Sequence, residues 1–300
     1  MNIQGCYTAL VTPFKNGEID WKTLDILLNK QIEAKVNGIV PMGTTGESPT
    51  VSTKEHSKII ERTIEKVEGI SQVIAGTGAN STEEALELTS EAKKAGADAS
   101  LQVTPYYNKP TAEGLYRHFS TIADKAGLPI ILYNVPGRSG IPIPIDTIVK
   151  LAENPNIVAV KEAGGSVDRV SEILSRCDIT VLSGDDPLTL PMMSVGASGV
   201  ISVASNILPA EITELTSEAL KGNFSQARKI HYRLYKLFQD IFIETNPLPV
   251  KTALAMMGLI EEEFRLPLCE MQEANKKQLK QTLVELGNCG IKELQNCFSN

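Results

Sequence analysis

The chain has 300 residues, 42% hydrophobic and 22% charged, enough to bury a large core as one big domain or as two. A formal net charge of −7 argues against nucleic acid or an anionic membrane surface as a general partner. Met1-Asn2-Ile3-Gln4-Gly5 carries no basic stretch ahead of an apolar core, and no segment approaches the ~18 uninterrupted apolar residues of a membrane span, so no membrane is expected and a cytoplasmic location is.

Eight short apolar runs recur along the chain, each bounded by turn residues: 7–12, 39–42, 73–76, 100–104, 130–133, 157–161, 180–183 and 199–203. Helix signals lie between them. Asp20 precedes the stripe Leu24, Leu27, Leu28 and Ile32, and both Ser52 with Glu55 and Ser81 with Glu84 fit an S-x-x-E capping box. Gly38, Gly96, Gly127 and Gly196 stand just before strands, where a helix C-cap needs a left-handed residue. Strands alternating with helices predict βα units and a parallel sheet, and eight such units predict closure into an α/β (β/α)8 barrel. The competing doubly wound sheet usually carries a G-x-G-x-x-G or P-loop after its first strand, and none is present.

Past Ser205 the strands stop, and residues 209–221, 225–243, 249–257 and 270–286 read as helices. The expected division is residues 1–224 as the catalytic barrel and residues 225–300 as a C-terminal helical region, with a loosely ordered tail from residue 287. The five cysteines, Cys6, Cys177, Cys269, Cys289 and Cys297, are odd in number, scattered and without a C-x-x-C pair, which suits reduced thiols. His56, His118 and His231 lie too far apart for a local ligand motif, so no metal is expected.

In a parallel barrel the chemistry sits at the C-terminal ends of the strands. The sixth run, Ile157-Val158-Ala159-Val160-Lys161, ends there on a lysine, with Ile157 and Ala159 expected on its face and Val158, Val160 and Glu162 on the other. An amine above an apolar wall is partly stripped of water, which favours the neutral form that attacks a ketone or aldehyde. Taken alone, Lys161 reads first as a strand-end lysine reaching solvent, and it is the rest of the chain that overturns this. Tyr133 ends the fifth run and is either a proton carrier or a barrel aromatic. Gly43-Thr44-Thr45-Gly46-Glu47 offers amide and hydroxyl donors to a carboxylate, or is simply a turn, and Arg138 offers a fork for a second carboxylate, or is a solvated loop residue. Asp185 and Asp186 follow the seventh run and argue against a phosphate there.

These residues bring the chain to a known pattern. Gly38-Ile39-Val40-Pro41-Met42-Gly43-Thr44-Thr45-Gly46-Glu47, with Tyr133-Asn134-Val135-Pro136 and Lys161-Glu162-Ala163, resembles the pyruvate-dependent class I lyase and aldolase superfamily. Thr104-Pro105-Tyr106-Tyr107-Asn108, Arg138 and Gly199-Val200-Ile201-Ser202 favour its dihydrodipicolinate synthase family over the sugar-acid relatives. The resemblance implies that Lys161 forms a Schiff base with pyruvate, whose enamine attacks L-aspartate 4-semialdehyde to give 4-hydroxy-tetrahydrodipicolinate in lysine biosynthesis by the diaminopimelate route, with no cofactor. It implies a proton relay of Tyr133, Thr44 and Tyr107, the last reaching in from a neighbouring subunit of a homotetramer built as a dimer of dimers. Thr45 and the Ile201 backbone would hold pyruvate, Gly184 would border the substrate, and Arg138 would take the semialdehyde carboxylate.

Feedback inhibition by lysine is also implied, at His56, Asn80, Glu84, Tyr106 and Pro49. Pro49 and Thr53 depart from the lysine-sensitive form, where alanine and histidine stand, and Gly164 replaces a common Ser or Thr, which is expected to loosen the turn after the nucleophile. The alternatives are an N-acetylneuraminate lyase or 2-keto-3-deoxy sugar acid aldolase of the same superfamily, using Lys161 and Tyr133 alike, and a non-catalytic carboxylate sensor, which would be expected to have lost one of them.

Overall fold

Parallel strands close on themselves in the computed structural model, which describes residues 1–298. The barrel strands are β1 (Gly5–Ala9), β2 (Gly38–Val40), β3 (Gln72–Gly76), β4 (Ala99–Val103), β5 (Ile130–Asn134), β6 (Ile157–Glu162), β7 (Thr180–Ser183) and β8 (Gly199–Ser202). Each pairs in parallel with its sequence neighbours, and β1 closes the ring by pairing with both β2 and β8. All eight predicted runs are therefore strands of the expected (β/α)8 barrel. A hairpin of Phe14–Lys15 with Glu18–Ile19 stands outside the ring.

The strands lack polar alternation because both faces are covered. Tyr7, Val40, Ile74, Leu101, Ile131 and Ala159 belong to the inner cluster that fills the barrel. Two outer clusters join the opposite strand faces to the helices, for example Ile39 to Leu24 and Ile59, and Val160 to Val170 and Ile173. Each such buried aliphatic side chain contributes about 1.5–3 kcal/mol.

Two local expectations need correction. The register shifts between Ile130 and Ile131, so that Ile130 pairs with Ile157 but Ile131 with Ala159. This irregularity exchanges the first two side chains of β6: Ile157 joins the outer cluster and Val158 packs against the inner one. Alternation then holds, with Ala159 inside and Val160 outside. Gly38 is not a helix cap, because it already lies within β2, and the left-handed residue at that joint is Lys35 (φ 56°). Gly96, Gly127 and Gly196 do have positive φ as expected.

The C-terminal helices span Pro209–Leu220, Phe224–Asp240, Leu248–Met256 and Glu273–Asn288, close to the predicted segments. The first packs against β1 and β8. Leu234, Leu254 and Leu283 share one apolar cluster with Leu24 and Ile59 of the barrel side. The tail differs from expectation: Lys292–Phe298 is a further helix, with Ile291 and Leu294 buried in that same cluster. Its apolar pair gains more from burial than a short segment loses on ordering. Residues 299 and 300 of the predicted tail lie outside the described residues.

Leu294→Ala is expected to destabilise the protein by about 2 kcal/mol, the lower end for a buried Leu→Ala change because a terminal helix can partly relax. Urea unfolding checks this, and an unchanged midpoint would show that the helix is not part of the cooperative core.

Candidate active site

Tyr133 and Lys161 are register partners on adjacent strands β5 and β6, so their side chains leave the sheet on the same face. Lys161 is only 6% exposed, and its Nζ lies 4.1 Å from the centroid of the Tyr133 ring. It has no hydrogen-bond or carboxylate partner among the described residues. An ammonium gains some attraction from an aromatic face, but far less than from a carboxylate, so the amine is left available to a carbonyl carbon. It opens into a cavity of about 560 Å³ at the C-terminal end of the barrel, bordered also by Thr44, Thr45, Arg138 and Gly184.

Two glycines make room for this arrangement. A Cβ on Gly184 would lie 2.9 Å from Lys161 Cε and 2.7 Å from Ala163 Cβ, so the lysine stem passes only because β7 is followed by glycine. Behind the strand, the Glu162 carboxylate is fully buried and accepts from Asn134 Nδ2 (2.7 Å), Gly164 N (2.8 Å) and Arg169 Nε (2.9 Å). A Cβ on Gly164 would stand 2.6 Å from Glu162 Oε1. Gly164 thus stands where a side chain would crowd the carboxylate that its own N–H holds. Because Asn134 follows Tyr133 and Glu162 follows Lys161, this bond ties the two reactive strand ends together from outside the barrel. Leaving such a carboxylate unpaired costs several kcal/mol by the general magnitude for buried ion pairs.

Gly43-Thr44-Thr45-Gly46-Glu47 forms a tight 3₁₀ turn, with Gly46 N donating to Gly43 O and Glu47 N to Thr44 O, both at 3.1 Å. Thr45 Oγ1 accepts from Asn246 Nδ2 (3.0 Å), which leaves its hydroxyl hydrogen free to donate to a ligand. Arg138 donates from one guanidinium nitrogen to Asn246 O (3.0 Å) and has no carboxylate partner among the described residues. The two aspartates divide. Asp185 borders the cavity, and burial raises its carboxyl above the usual range. Asp186 turns away: its carboxylate accepts from Ser202 Oγ, Val203 N (2.9 Å) and Ala204 N (3.1 Å), bracing the loop after β8, and burial pushes its pKa up to about 6.

Lys161, Tyr133, Thr44, Thr45, Arg138 and Gly184 thus come together. Ile201 does not border the cavity; its side chain is in the inner cluster, and Val203 lies at the cavity edge. Tyr107 is 91% exposed with φ 71°, and is not brought to Tyr133 or Thr44 within the subunit. Asn246, with Phe238 and Phe242, is an unforeseen part of the wall, contributed by the segment that reads as an appendix. Nothing local distinguishes Asn246, because its place depends on how helices about a hundred residues beyond Arg138 pack. Among the described residues no group of three or more His, Cys, Asp or Glu side chains is placed to hold a metal ion.

His56, Glu84, Tyr106 and Pro49 border a second cavity of about 440 Å³, which shares Thr44, Tyr133 and Arg138 with the first. Asn80 stands beside it, donating to Tyr106 O (3.2 Å). His56 Nε2 lies 2.8 Å from the Gly76 carbonyl oxygen, so Nε2 carries the proton and the buried Nδ1 is an acceptor without a partner. Burial holds the imidazole below its ordinary pKa. Ser52 and Glu55 form the reciprocal capping box, whereas Ser81 only accepts from Glu84 N. The Glu84 carboxylate is consequently available to the cavity, where it also raises Tyr106, after burial.

The model of the dihydrodipicolinate synthetase family matches residues 2–286. The chain is 54% identical over 283 residues to a 4-hydroxy-tetrahydrodipicolinate synthase of Hydrogenobaculum sp., covering 94% of this chain and 98% of the relative. It is similar to the crystal structure of dihydrodipicolinate synthase from Aquifex aeolicus, with a TM-score of 0.93 and 52% identity over 94% of this chain and 98% of that one. It is also similar to the enzyme from Cyanidioschyzon merolae solved with lysine bound, with a TM-score of 0.92 and 42% identity over 95% and 98% of the two chains.

Between about pH 4 and about pH 6 the folded chain keeps a proton on Asp186 that the unfolded chain releases, so this group's contribution to stability falls as pH rises through that window. An asparagine offers the same shape without the charge. The thermal midpoint of Asp186→Asn, relative to the parent, is therefore expected to rise between about pH 4 and about pH 7 by scanning calorimetry. A constant offset would show that Asp186 does not change protonation in that range.

Proposed function

The chain belongs to the dihydrodipicolinate synthetase family, and on that footing we propose that it condenses pyruvate with L-aspartate 4-semialdehyde to 4-hydroxy-tetrahydrodipicolinate. The observation that carries the reading is the Lys161 amine, without a hydrogen-bond partner among the described residues, beside Tyr133 at a cavity that Thr44, Thr45 and Arg138 also border. Lys161 adds to the pyruvate ketone, and water leaves as the iminium forms. Loss of a methyl proton gives the enamine, whose carbon attacks the aldehyde. The amine of the second substrate then closes on the iminium carbon and displaces Lys161. One water is released overall, and no redox partner is needed.

In this reading Thr45 donates its free hydroxyl hydrogen to the pyruvate carboxylate, and Val203, rather than the expected Ile201, stands at the cavity edge beside it. Arg138 holds the second carboxylate through its unpaired N–H groups. Tyr133 and Thr44 move protons to and from the carbinolamine oxygen. The third relay member, Tyr107, is exposed on its own subunit in a backbone conformation that a bulky residue rarely holds, which supports insertion into a neighbouring subunit. A homotetramer built from such pairs, working in the cytoplasm without a metal or organic cofactor, belongs to the same proposal.

The second cavity is the site proposed for lysine. The Glu84 carboxylate suits an ammonium group, the His56 ring borders the same cavity, and the shared walls Thr44 and Tyr133 give bound lysine a route to the catalytic groups.

Borohydride in the presence of pyruvate should leave a covalent adduct on the Lys161 peptide, and Lys161→Ala should abolish both adduct and turnover. No adduct on the parent protein would sink the Schiff-base reading. Turnover with N-acetylmannosamine in place of the semialdehyde would keep Lys161 and Tyr133 but move the substrate to the sugar acids.

Lysine should inhibit turnover at about neutral pH and lose potency once the pH falls below the ordinary histidine range, where His56, held neutral longer by burial, takes up a proton and repels the ligand. Activity that stays flat into the millimolar range of lysine would remove this part of the proposal.

A further inference from the structure

Glu47 and Lys251 are both fully buried, 204 residues apart in the chain, and the Lys251 ammonium donates to Glu47 Oε1. Its second acceptor is Glu263 O (2.7 Å), and the rings of Phe14 and Phe264 lie 4.4 Å and 4.9 Å away. Burial lowers the Lys251 pKa, and Glu47 works against that shift. The other Glu47 oxygen accepts from Arg265 N (3.3 Å), and the Arg265 guanidinium grips Glu55 at 2.9 Å and 2.7 Å and Thr50 O at 3.2 Å. Two desolvated charges are a poor source of stability, since an apolar pair of similar volume usually serves as well. What a buried pair supplies is one geometry.

The geometry concerned is the turn that carries Thr44 and Thr45. Glu47 ends it at φ 57°, a left-handed conformation in which a glutamate must be held by its surroundings. Its N–H donates to Thr44 O, so the placement of Glu47 sets that of Thr44. One turn before Lys251, and just ahead of the same helix, Asn246 donates to Thr45 Oγ1 and accepts from Arg138. One helix, through Lys251 and through the residue two before its start, thus reaches the turn at Glu47 and at Thr45.

We propose that the helix Leu248–Met256 positions the pyruvate-binding turn, with Lys251 acting on Thr44 and Thr45 through Glu47. Lys251 is a positioning residue, and the inference rests on the roles proposed above for the two threonines. Pyruvate affinity and proton transfer then depend on an ion pair that touches neither substrate.

The test is the neutral double variant Glu47→Gln/Lys251→Met, which strands no buried charge. Steady-state kinetics, borohydride trapping over a range of pyruvate concentrations and thermal unfolding are compared with the parent. The expected result is a pyruvate KM raised about tenfold with a lowered kcat, an adduct still formed at saturating pyruvate, and a cooperative thermal transition. Parent-like KM and kcat in the folded double variant, whatever its thermal midpoint, would overturn the inference, because a merely structural pair moves stability alone. Should the double variant not fold, Glu47→Gln alone retains an acceptor for Lys251 and is expected to raise KM by a smaller factor; parent values there overturn the inference equally. A parent protein that forms no pyruvate adduct fails the Schiff-base reading itself, and this inference with it.

Discussion

A buried primary amine, Lys161, with no carboxylate partner among the described residues, organises the reactive end of this structure. A carboxylate bonded to it would occupy Lys161 and keep it from a carbonyl. The barrel places the amine beneath a mouth walled by Thr44, Tyr133 and Arg138, where little of the side chain is exposed. It withholds a carboxylate by sending the adjacent Glu162 to the opposite face of the strand, where Arg169 and Asn134 satisfy it. Strand alternation alone achieves this separation, since neighbours in a strand point to opposite sides.

The same alternation ties the reactive end of the barrel together. Tyr133 and Lys161 face inward as register partners, while Asn134 and Glu162, one residue further on, are joined on the outside. The side chains that meet substrate and the side chains that hold the strand ends are interleaved along the chain, so one cannot shift without the other. Gly164 and Gly184 occupy the two places where a methyl group would collide with this arrangement. Asp186 gives the loop after β8 an equivalent brace, which is why one of two adjacent aspartates is structural and the other faces the cavity.

The two cavities are neighbours with common walls, and this gives the fold a physical means of coupling them. A ligand bound near His56 and Glu84 needs only to displace Thr44 or Tyr133 to alter the groups around Lys161. Tyr106 borders the second cavity, and its neighbour Tyr107 is exposed.

The sequence by itself determined the local and periodic features. Eight apolar runs separated by helix signals became eight barrel strands, and Ser52 with Glu55 became a reciprocal cap, because these depend on residues within a few positions of one another. Lys161, Tyr133, Thr44, Thr45 and Arg138 were legible as a set because a parallel barrel collects its strand ends at one mouth. The face of Ile157 was not, since a register irregularity with β5 decides it, nor was the order of the segment 292–298, which depends on a cluster of leucines from distant helices. Asn246 at Thr45 and Lys251 at Glu47 were likewise decided only by the tertiary structure. A carboxylate and an amine about two hundred residues apart carry no local mark of their pairing, and only the packing of the C-terminal helices against the barrel removes the water that would otherwise keep them apart.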